Sequence, residues 1–184
     1  MAHSICVFCA SSDHVEDAYM ACARDLGAGM AERGHTLVYG GGNNGLMGQL
    51  STVMAAMSGS MVGVIPRRLR DLGYAFDAAD EMIVTDGMRE RKAVMEERAD
   101  GFIGLPGGFG TLEELLEIIT LRQLRMLDKP IVILNVRGFF DNLLAQFETA
   151  YSERFVDPSN RSLYHVTSSV HGAIDHIEAF HRGE

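Results

Sequence analysis

Short apolar runs alternate with longer amphipathic stretches along the chain. Each run is continuous and bounded by glycine, proline or polar residues, as in strands that are covered on both faces. The five runs are SICVFC (4–9), HTLVYG (35–40), GSMVGVIP (59–66), DGFIGLP (100–106) and KPIVILN (129–135). Helical spacing predicts helices over 14–33, 45–58, 87–99, 111–126, 139–153 and 169–181. This alternation predicts the α/β class: a single-domain, doubly wound (Rossmann-like), mostly parallel sheet with helices on both faces.

Two stretches lack a clear period. Residues 66–82 (PRRLRDLGYAFDAADEM) are the least periodic part of the chain and are predicted to form a loop or a lid. Residues 157–166 (DPSNRSLYHV) are predicted to form a loop that leads into a last short strand. Neither stretch has the character of an interdomain linker, so residues 1–184 are interpreted as one domain.

The composition fits a globular chain with a full core. Its 184 residues are 47% hydrophobic and 22% charged, with a formal net charge of -9. An acidic chain is a poor partner for nucleic acid, because phosphates are neutralised by clustered Lys and Arg. No apolar run approaches the roughly 18 residues that span a bilayer, and the N-terminus lacks the basic region of a signal peptide. No nucleic-acid or membrane partner is therefore predicted, and the predicted location is cytoplasmic.

The cysteines and histidines show no pattern that is typical of a redox, metal or catalytic site. Cys6 and Cys9 lie in an apolar run, where thiols behave as small hydrophobic side chains, whereas a redox Cys-x-x-Cys normally opens a helix. The sequence contains no His-Glu-x-x-His motif, no Cys/His ligand cluster and no Gly-x-Ser-x-Gly elbow. Neither a metal site nor a serine hydrolase site is predicted.

A glycine-rich loop follows the second apolar run. Gly40, Gly42 and Gly45 in YGGGNNGLMG (39–48) satisfy the G-x-G-x-x-G pattern of NAD-binding loops. A dinucleotide site also needs an acidic residue about 20 positions further on, where this chain instead has the basic VIPRRLR. The loop is therefore interpreted as one that approaches a ligand or a neighbouring loop closely through its backbone.

A second glycine-rich loop, LPGGFGTLEE (105–114), leads into a predicted helix. Gly107, Gly108 and Gly110 allow backbone N–H groups at the helix N-terminus to point toward one anion, and the absence of Gly-Lys-Ser/Thr favours a single phosphate monoester. Thr111 and Glu114 alternatively form a capping box. Each glycine lowers folding stability by about 0.5–1 kcal/mol, because it loses more chain entropy on folding than other residues. A helix cap needs none of these glycines, which favours the anion site. Glu114 would then lie about one helical turn, roughly 5.4 Å, from the phosphate.

The predicted helix over 87–99 carries two cations on an apolar stripe, with Asp86 as its expected N-cap. Arg91 and Lys92 share the stripe with Met88 and Met95. Two interpretations are open. Either both cations extend outward, with Glu96 pairing Lys92 at i+4, or they neutralise an anionic substrate held by the glycine loop.

Four motifs together resemble one known family. PGGFGTLEE (106–114) matches P-G-G-x-G-T-x-x-E, and MRERKAVM (88–95) resembles M-H-x-R-K-A-x-M. With GGGNNGLMG (40–48) and LDKPIVILN (127–135), they resemble the Lonely Guy (LOG) family of cytokinin riboside 5′-monophosphate phosphoribohydrolases. The resemblance extends from about residue 4 to residue 155. Members are often labelled lysine decarboxylases. A decarboxylase of that kind would need a lysine that binds pyridoxal phosphate, and Lys92 and Lys129 are the only lysines in the chain.

The resemblance implies a Rossmann-like nucleotide-binding domain over 1–184. It implies hydrolysis of the N-glycosidic bond of an adenosine-type 5′-monophosphate to free base and ribose 5-phosphate, without a cofactor, by a protein that is typically a homodimer. The implied catalytic pair is Arg91 and Glu114, and the choice of Glu114 over Glu113 rests on the resemblance. The expected substrate-binding residues are Lys92, Gly107, Gly108, Phe109, Gly110, Thr111, Leu112, Glu113, Thr120, Gly41 and Gly42.

This chain departs from the family pattern near the expected base pocket. Arg89 replaces the histidine of M-H-x-R-K, Arg68 replaces a glutamate that often follows the third strand, and 67–82 is longer. These departures concern base specificity. Two alternative functions remain open for the chain: a general AMP nucleosidase in salvage, and a nucleotide-binding sensor without catalysis.

Overall fold

The computed structural model describes residues 1–183 and folds them into one seven-stranded sheet flanked by helices. The strands are β1 Ser4–Phe8, β2 Thr36–Tyr39, β3 Met61–Pro66, β4 Glu81–Thr85, β5 Gly101–Gly104, β6 Ile131–Leu134 and β7 His165–Thr167. The α-helices are α1 Asp17–Glu32, α2 Gly45–Ala56, α3 Arg67–Asp71, α4 Met88–Arg98, α5 Phe109–Gln123, α6 Asp141–Ser152 and α7 Val170–Arg182. Short 3-10 turns occupy Val136–Gly138 and Pro158–Leu163.

The sheet is parallel throughout, in the order β4-β3-β2-β1-β5-β6-β7. β1 lies at the centre, where Cys6 pairs with Val38 of β2 on one side and with Phe102 of β5 on the other. From β1 the chain first builds outward to β4 and then crosses back to β5, so the strand order reverses between β1 and β5. The predicted doubly wound fold is confirmed.

Helices cover both faces of the sheet. Alternate β1 residues point to opposite sides, Ile5 and Val7 into the core that also contains residues of α1, α2 and α7, and Cys6 and Phe8 into the core beneath α4, α5 and α6. Since β1 is buried on both faces, its sequence is a continuous apolar run rather than an alternating one. The central strands were predictable from the sequence because burial on both faces gives each of them a continuous apolar run.

The structure corrects the prediction for 66–82. This stretch contains the short helix α3 and the start of β4, rather than only a loop or lid. β4 pairs with β3 alone and is half-exposed, so its sequence EMIVT lacks the continuous apolar run of a central strand. The predicted last short strand, β7, is confirmed.

The predicted N-cap of α4 is wrong. Gly87 occupies the N-cap position, and no side chain among the described residues caps this helix. The backbone N–H of Asp86 instead donates to Oε2 of Glu90 at 2.8 Å. A glutamate in the first turn thus satisfies a donor just before the helix, as in one half of a capping box.

Within residues 1–183, no helix combines the length and the apolar composition that a bilayer crossing requires.

Candidate active site

A cavity of about 590 Å³ opens at the carboxyl ends of the strands, next to the point where the strand order reverses. The loops after β1, β2 and β5 form part of its wall, and α4 contributes Met88, Arg91 and Met95. In doubly wound sheets ligands bind in this crevice, because the loops there lead into helix N-termini. The cavity is therefore the candidate site.

Arg91 is a buried cation in the cavity wall. Its side chain is 10% exposed, its Nε donates to the Val64 carbonyl of β3 at 3.0 Å, and its Nη1 donates to Oε1 of Glu114 at 2.7 Å. A buried guanidinium requires such partners, since losing water without them is strongly unfavourable. Arg91 thus points inward, and the interpretation in which it extends to solvent is wrong.

Glu114 provides the opposite charge from α5. Its side chain is 9% exposed and lines the same cavity. Burial raises the pKa of the Glu114 carboxyl, Arg91 acts in the opposite direction, and the nearby charges of Glu113 and Lys92 make smaller contributions of opposite sign. The pair therefore presents a poorly hydrated carboxylate that one guanidinium orients.

The N-terminus of α5 carries backbone donors toward the cavity. Gly108 is the N-cap, no side chain of residues 1–183 caps the helix, and its first internal bond runs from Leu112 N–H to the Gly108 carbonyl at 3.1 Å. The N–H groups of Phe109, Gly110 and Thr111 therefore have no partner within the helix. Because these donors lie at the positive end of the helix dipole, they suit an anion.

The capping-box alternative is wrong. α5 begins at Phe109, two residues before the predicted start, so Thr111 lies inside the first turn instead of at the N-cap. Glu114 binds Arg91. A side chain on Gly107 would come within 2.0 Å of Thr111 Oγ1, whereas side chains at Gly108 and Gly110 would meet nothing within 4 Å. Gly107 is therefore required by packing, and the other two leave the approach to the helix end open.

The predicted site residues divide into two groups. Arg91, Glu114, Gly42, Gly108, Phe109, Gly110 and Thr111 line the cavity. Gly41, Lys92, Gly107, Leu112, Glu113 and Thr120 are outside its lining, as far as the described residues go. Leu112 packs toward the core and the Thr120 hydroxyl donates to the Leu116 carbonyl at 2.7 Å. Sequence spacing alone does not reveal this division.

Lys92 faces a different side of α4 from Arg91. Its Nζ contacts Glu113 and lies 2.8 Å from Oε2 of Glu117. The hydrogen bond to Glu113 is the main cause of the raised pKa of Lys92. The structure thus gives Lys92 two carboxylate partners on α5 instead of Glu96, its partner in one of the two interpretations that the sequence left open.

An apolar wall of the cavity comes from the aperiodic segment 66–82, near the expected base pocket. Residues 73–76 form a strap that is fastened to the first glycine loop: Asn43 N–H donates to the Tyr74 carbonyl at 3.0 Å, and Phe76 N–H donates to the Gly41 carbonyl at 2.9 Å. The strap and α3 bring Tyr74 and Leu69 to the cavity. Low periodicity indicated an irregular segment here, but nothing in the sequence showed which residues would face the site.

The first glycine loop approaches a neighbouring loop closely, as predicted. Gly45 has φ +60°, and a side chain there would come within 2.6 Å of the Ser11 carbonyl carbon. Its N–H donates to Oδ1 of Asp13 at 2.7 Å. Only glycine fits this junction between the loops that follow β1 and β2.

No group of three or more His, Cys, Asp or Glu side chains within residues 1–183 is placed to hold a metal ion.

Comparisons with known proteins agree with this architecture. Residues 47–177 match the family model described as "Possible lysine decarboxylase". The chain is 40% identical over 176 residues to cytokinin riboside 5'-monophosphate phosphoribohydrolase LOG5 of Arabidopsis thaliana, covering 96% of this chain and 77% of the relative. It is 45% identical over 159 residues to the Oryza sativa subsp. japonica protein named probable cytokinin riboside 5'-monophosphate phosphoribohydrolase LOGL5, covering 86% and 65%.

Among solved structures, the molybdenum cofactor binding protein from the phototrophic bacterium Rippkaea orientalis superposes with a TM-score of 0.75. The two chains are 23% identical, and the match covers 98% of each. At this identity the similarity concerns the fold alone.

The raised pKa of Glu114 predicts a pH dependence of stability. The folded state binds this proton more tightly than the unfolded chain, so the group contributes stability below the ordinary value of 4.5, and that contribution is lost as pH rises through the folded pKa. We expect the free energy of unfolding of the wild type, relative to Glu114→Gln, to decrease as pH rises above about 4.5. Urea unfolding at several pH values measures this difference. Glu117→Gln controls for the substitution itself, and a pH-independent difference for Glu114→Gln would contradict the expectation.

Proposed function

The chain belongs to the LOG family, and from this membership and the geometry of its cavity we propose that it hydrolyses the N-glycosidic bond of adenosine-type nucleoside 5′-monophosphates. The products would be the free base and ribose 5-phosphate. The observation that carries the proposal is the buried pair of Arg91 and Glu114 beside the uncapped N-terminus of α5, in the wall of one cavity.

The phosphate would bind at the N-terminus of α5. The N–H groups of Phe109, Gly110 and Thr111 supply the donors, and the lack of side chains at Gly108 and Gly110 lets a phosphate approach them. Binding the phosphate at a fixed point positions the ribose for reaction, so that binding energy far from the scissile bond is used for orientation.

Glu114 would act at the ribose. When the bond between C1′ and N9 breaks, its electron pair leaves with the base and positive charge develops on the sugar. A carboxylate near C1′ stabilises this transition state more than the neutral ground state. The same carboxylate would accept a proton from the water that attacks C1′. That proton would pass through solvent to the departing base, which leaves the base neutral and Glu114 ionised again.

Arg91 would keep Glu114 ionised and oriented. A guanidinium does not give up its proton in proteins, so Arg91 would act through its charge and its hydrogen bond rather than as an acid. The apolar side of the cavity, with Met47, Leu69 and Tyr74, would contact the base. The base therefore meets side chains from segment 66–82, where this chain departs from the family pattern.

The description "Possible lysine decarboxylase" finds no support at the site. Lys92 pairs with Glu113 and Glu117, and Lys129 Nζ donates to the Glu96 carbonyl at 2.8 Å. Neither lysine lines the cavity of the described residues. A Schiff base on either one would form outside the lining of the cavity.

The activity test uses AMP and an N6-substituted AMP, with free base and ribose 5-phosphate as the measured products. We expect Glu114→Gln to bind AMP as the wild type does and to lower kcat by about 10²–10⁴-fold, because shape is kept while charge is lost. Glu117→Gln makes the same change one turn further along α5 and should keep wild-type turnover. Full turnover by Glu114→Gln would remove this carboxylate from the mechanism, and AMP binding without product in the wild type would favour a sensor.

We also propose that the protein is a homodimer that buries the outer face of α5. Phe109 and Leu116 are seven residues apart, so they lie on one side of the helix, and Leu124 and Met126 continue the stripe beyond its end. Phe109 is 93% exposed and Met126 71% exposed, and large apolar side chains grouped on one exposed face support a contact surface there. Because Phe109 also lines the cavity, a second copy on this face would lie beside the substrate.

Sedimentation of the wild type and of Met126→Glu tests the dimer. We expect a mass of twice 20.1 kDa for the wild type and a shift toward the monomer for the variant, since a charge replaces apolar contact area. Met57→Glu, at an exposed methionine beyond α2, is the control and should remain dimeric. A monomeric wild type would contradict the proposal.

We further propose a cytoplasmic location. Cys6, Cys9 and Cys22 are all free, which fits a reducing compartment. Cell fractionation should recover the protein in the cytoplasmic fraction. Its recovery in an exported fraction would contradict this assignment.

A further inference from the structure

Gly40, the first glycine of the G-x-G-x-x-G pattern, takes no part in the proposed phosphate binding or in the proposed chemistry at the ribose. Gly40 follows β2 directly, is buried and lines the cavity. A side-chain carbon on Gly40 would come within 1.9 Å of Arg91 Nη2 and 3.1 Å of Arg91 Cζ. The Arg91 guanidinium therefore occupies the space where every other residue type would have a side chain.

The guanidinium is not free to move aside. Nε is bound to the Val64 carbonyl and Nη1 to Glu114, so a shift away from Gly40 would break or lengthen at least one of these hydrogen bonds. The Arg91 side chain is only 10% exposed, so a guanidinium that loses a hydrogen bond there is strongly unfavourable.

The backbone at Gly40 is equally constrained. The preceding residue, Tyr39, pairs with Val7 of β1 and with Gly63 of β3, so this end of β2 is held on both sides by the parallel sheet. A methyl group at position 40 would consequently displace the guanidinium rather than the strand.

We propose that Gly40 is a positioning residue for Arg91: its missing side chain provides the volume in which the guanidinium lies and thereby sets the hydrogen bond to Glu114. The consequence for catalysis rests on the proposed function, whereas the structural coupling does not. This role also explains why the first glycine of a G-x-G-x-x-G pattern occurs in a chain whose next strand is followed by basic residues. The first glycine accommodates a protein side chain instead of a pyrophosphate.

The competing explanation is that Gly40 lets the substrate approach the backbone. The two explanations differ in one respect. If Gly40 acts through Arg91, the effect of Gly40→Ala disappears once Arg91 is removed. If Gly40 serves the substrate directly, the effect persists.

A double-mutant cycle with AMP hydrolysis as readout separates them. We expect Gly40→Ala to lower kcat/KM by about 10–100-fold, because a misplacement of about 1 Å at a catalytic group has an effect of this size. In the Arg91→Ala background the same change should have less than about a twofold further effect, since coupled residues are not additive. An equal loss in both backgrounds would overturn the proposal.

A second readout does not depend on activity. Burial raises the pKa of the Glu114 carboxyl and Arg91 opposes that rise, so displacing the guanidinium should raise this pKa further. Carbon-13 NMR titration, with the signal assigned by its absence in Glu114→Gln, should show the same upward shift in Gly40→Ala and Arg91→Ala. No shift in Gly40→Ala would overturn the proposal. Absence of AMP turnover in the wild type would instead contradict the proposed function and leave this coupling standing.

Gly29→Ala is the matched control. Its added carbon would come within 3.0 Å of Ile174 Cδ1, between α1 and α7, so it crowds a buried site that is remote from the cavity. We expect neither kcat/KM nor the Glu114 titration to change in this variant.

Loss of folding in Gly40→Ala would also be informative. Adding Gly40→Ala to the Arg91→Ala/Glu114→Gln variant should then leave the thermal unfolding of that variant unchanged, because the methyl group no longer meets a guanidinium and no carboxylate is left unpaired. A loss of folding on adding Gly40→Ala to that variant would contradict the proposal.

Discussion

The site depends on two opposite charges that the fold buries together. Arg91 and Glu114 come from different helices and are both about nine-tenths buried, so each would be strongly destabilising without the other. Their contact requires α4 and α5 to lie side by side over the sheet, the Val64 carbonyl to accept a hydrogen bond, and position 40 to have no side chain. Because the buried charges are tolerated only as a pair, the Glu114 carboxylate is held in a fixed position in the cavity wall.

The sheet topology explains why this carboxylate lies next to the N-terminus of α5, the proposed phosphate site. Reversal of the strand order between β1 and β5 opens a crevice, and the loop after β5 enters α5 without a capping side chain. Glu114 is five residues along the helix from Phe109, so it lies just beyond the positive end. The proposed phosphate donors and the carboxylate therefore belong to one helix, which fixes the distance between them.

Much of the architecture was readable from local pattern. The central strands are continuous apolar runs because both faces are covered, and the predicted helices begin and end within a few residues of the observed ones. β4 was missed because an edge strand that is half-exposed has no such run. The sequence left Lys92 open between Glu96 at i+4 and an anionic substrate, and carboxylates on another helix pair with it instead of Glu96.

Spacing and residue type thus determined the α/β class, the two glycine loops and the inward stripe that carries Arg91. Only tertiary structure decided that Glu114 faces this arginine instead of capping its own helix, that Lys92 turns away from the cavity, and that Tyr74 and Leu69 line it. The physical reason is that these choices depend on contacts between segments distant in sequence. Periodicity places a residue on a face of its own element, but the partner on that face is set by how the elements pack.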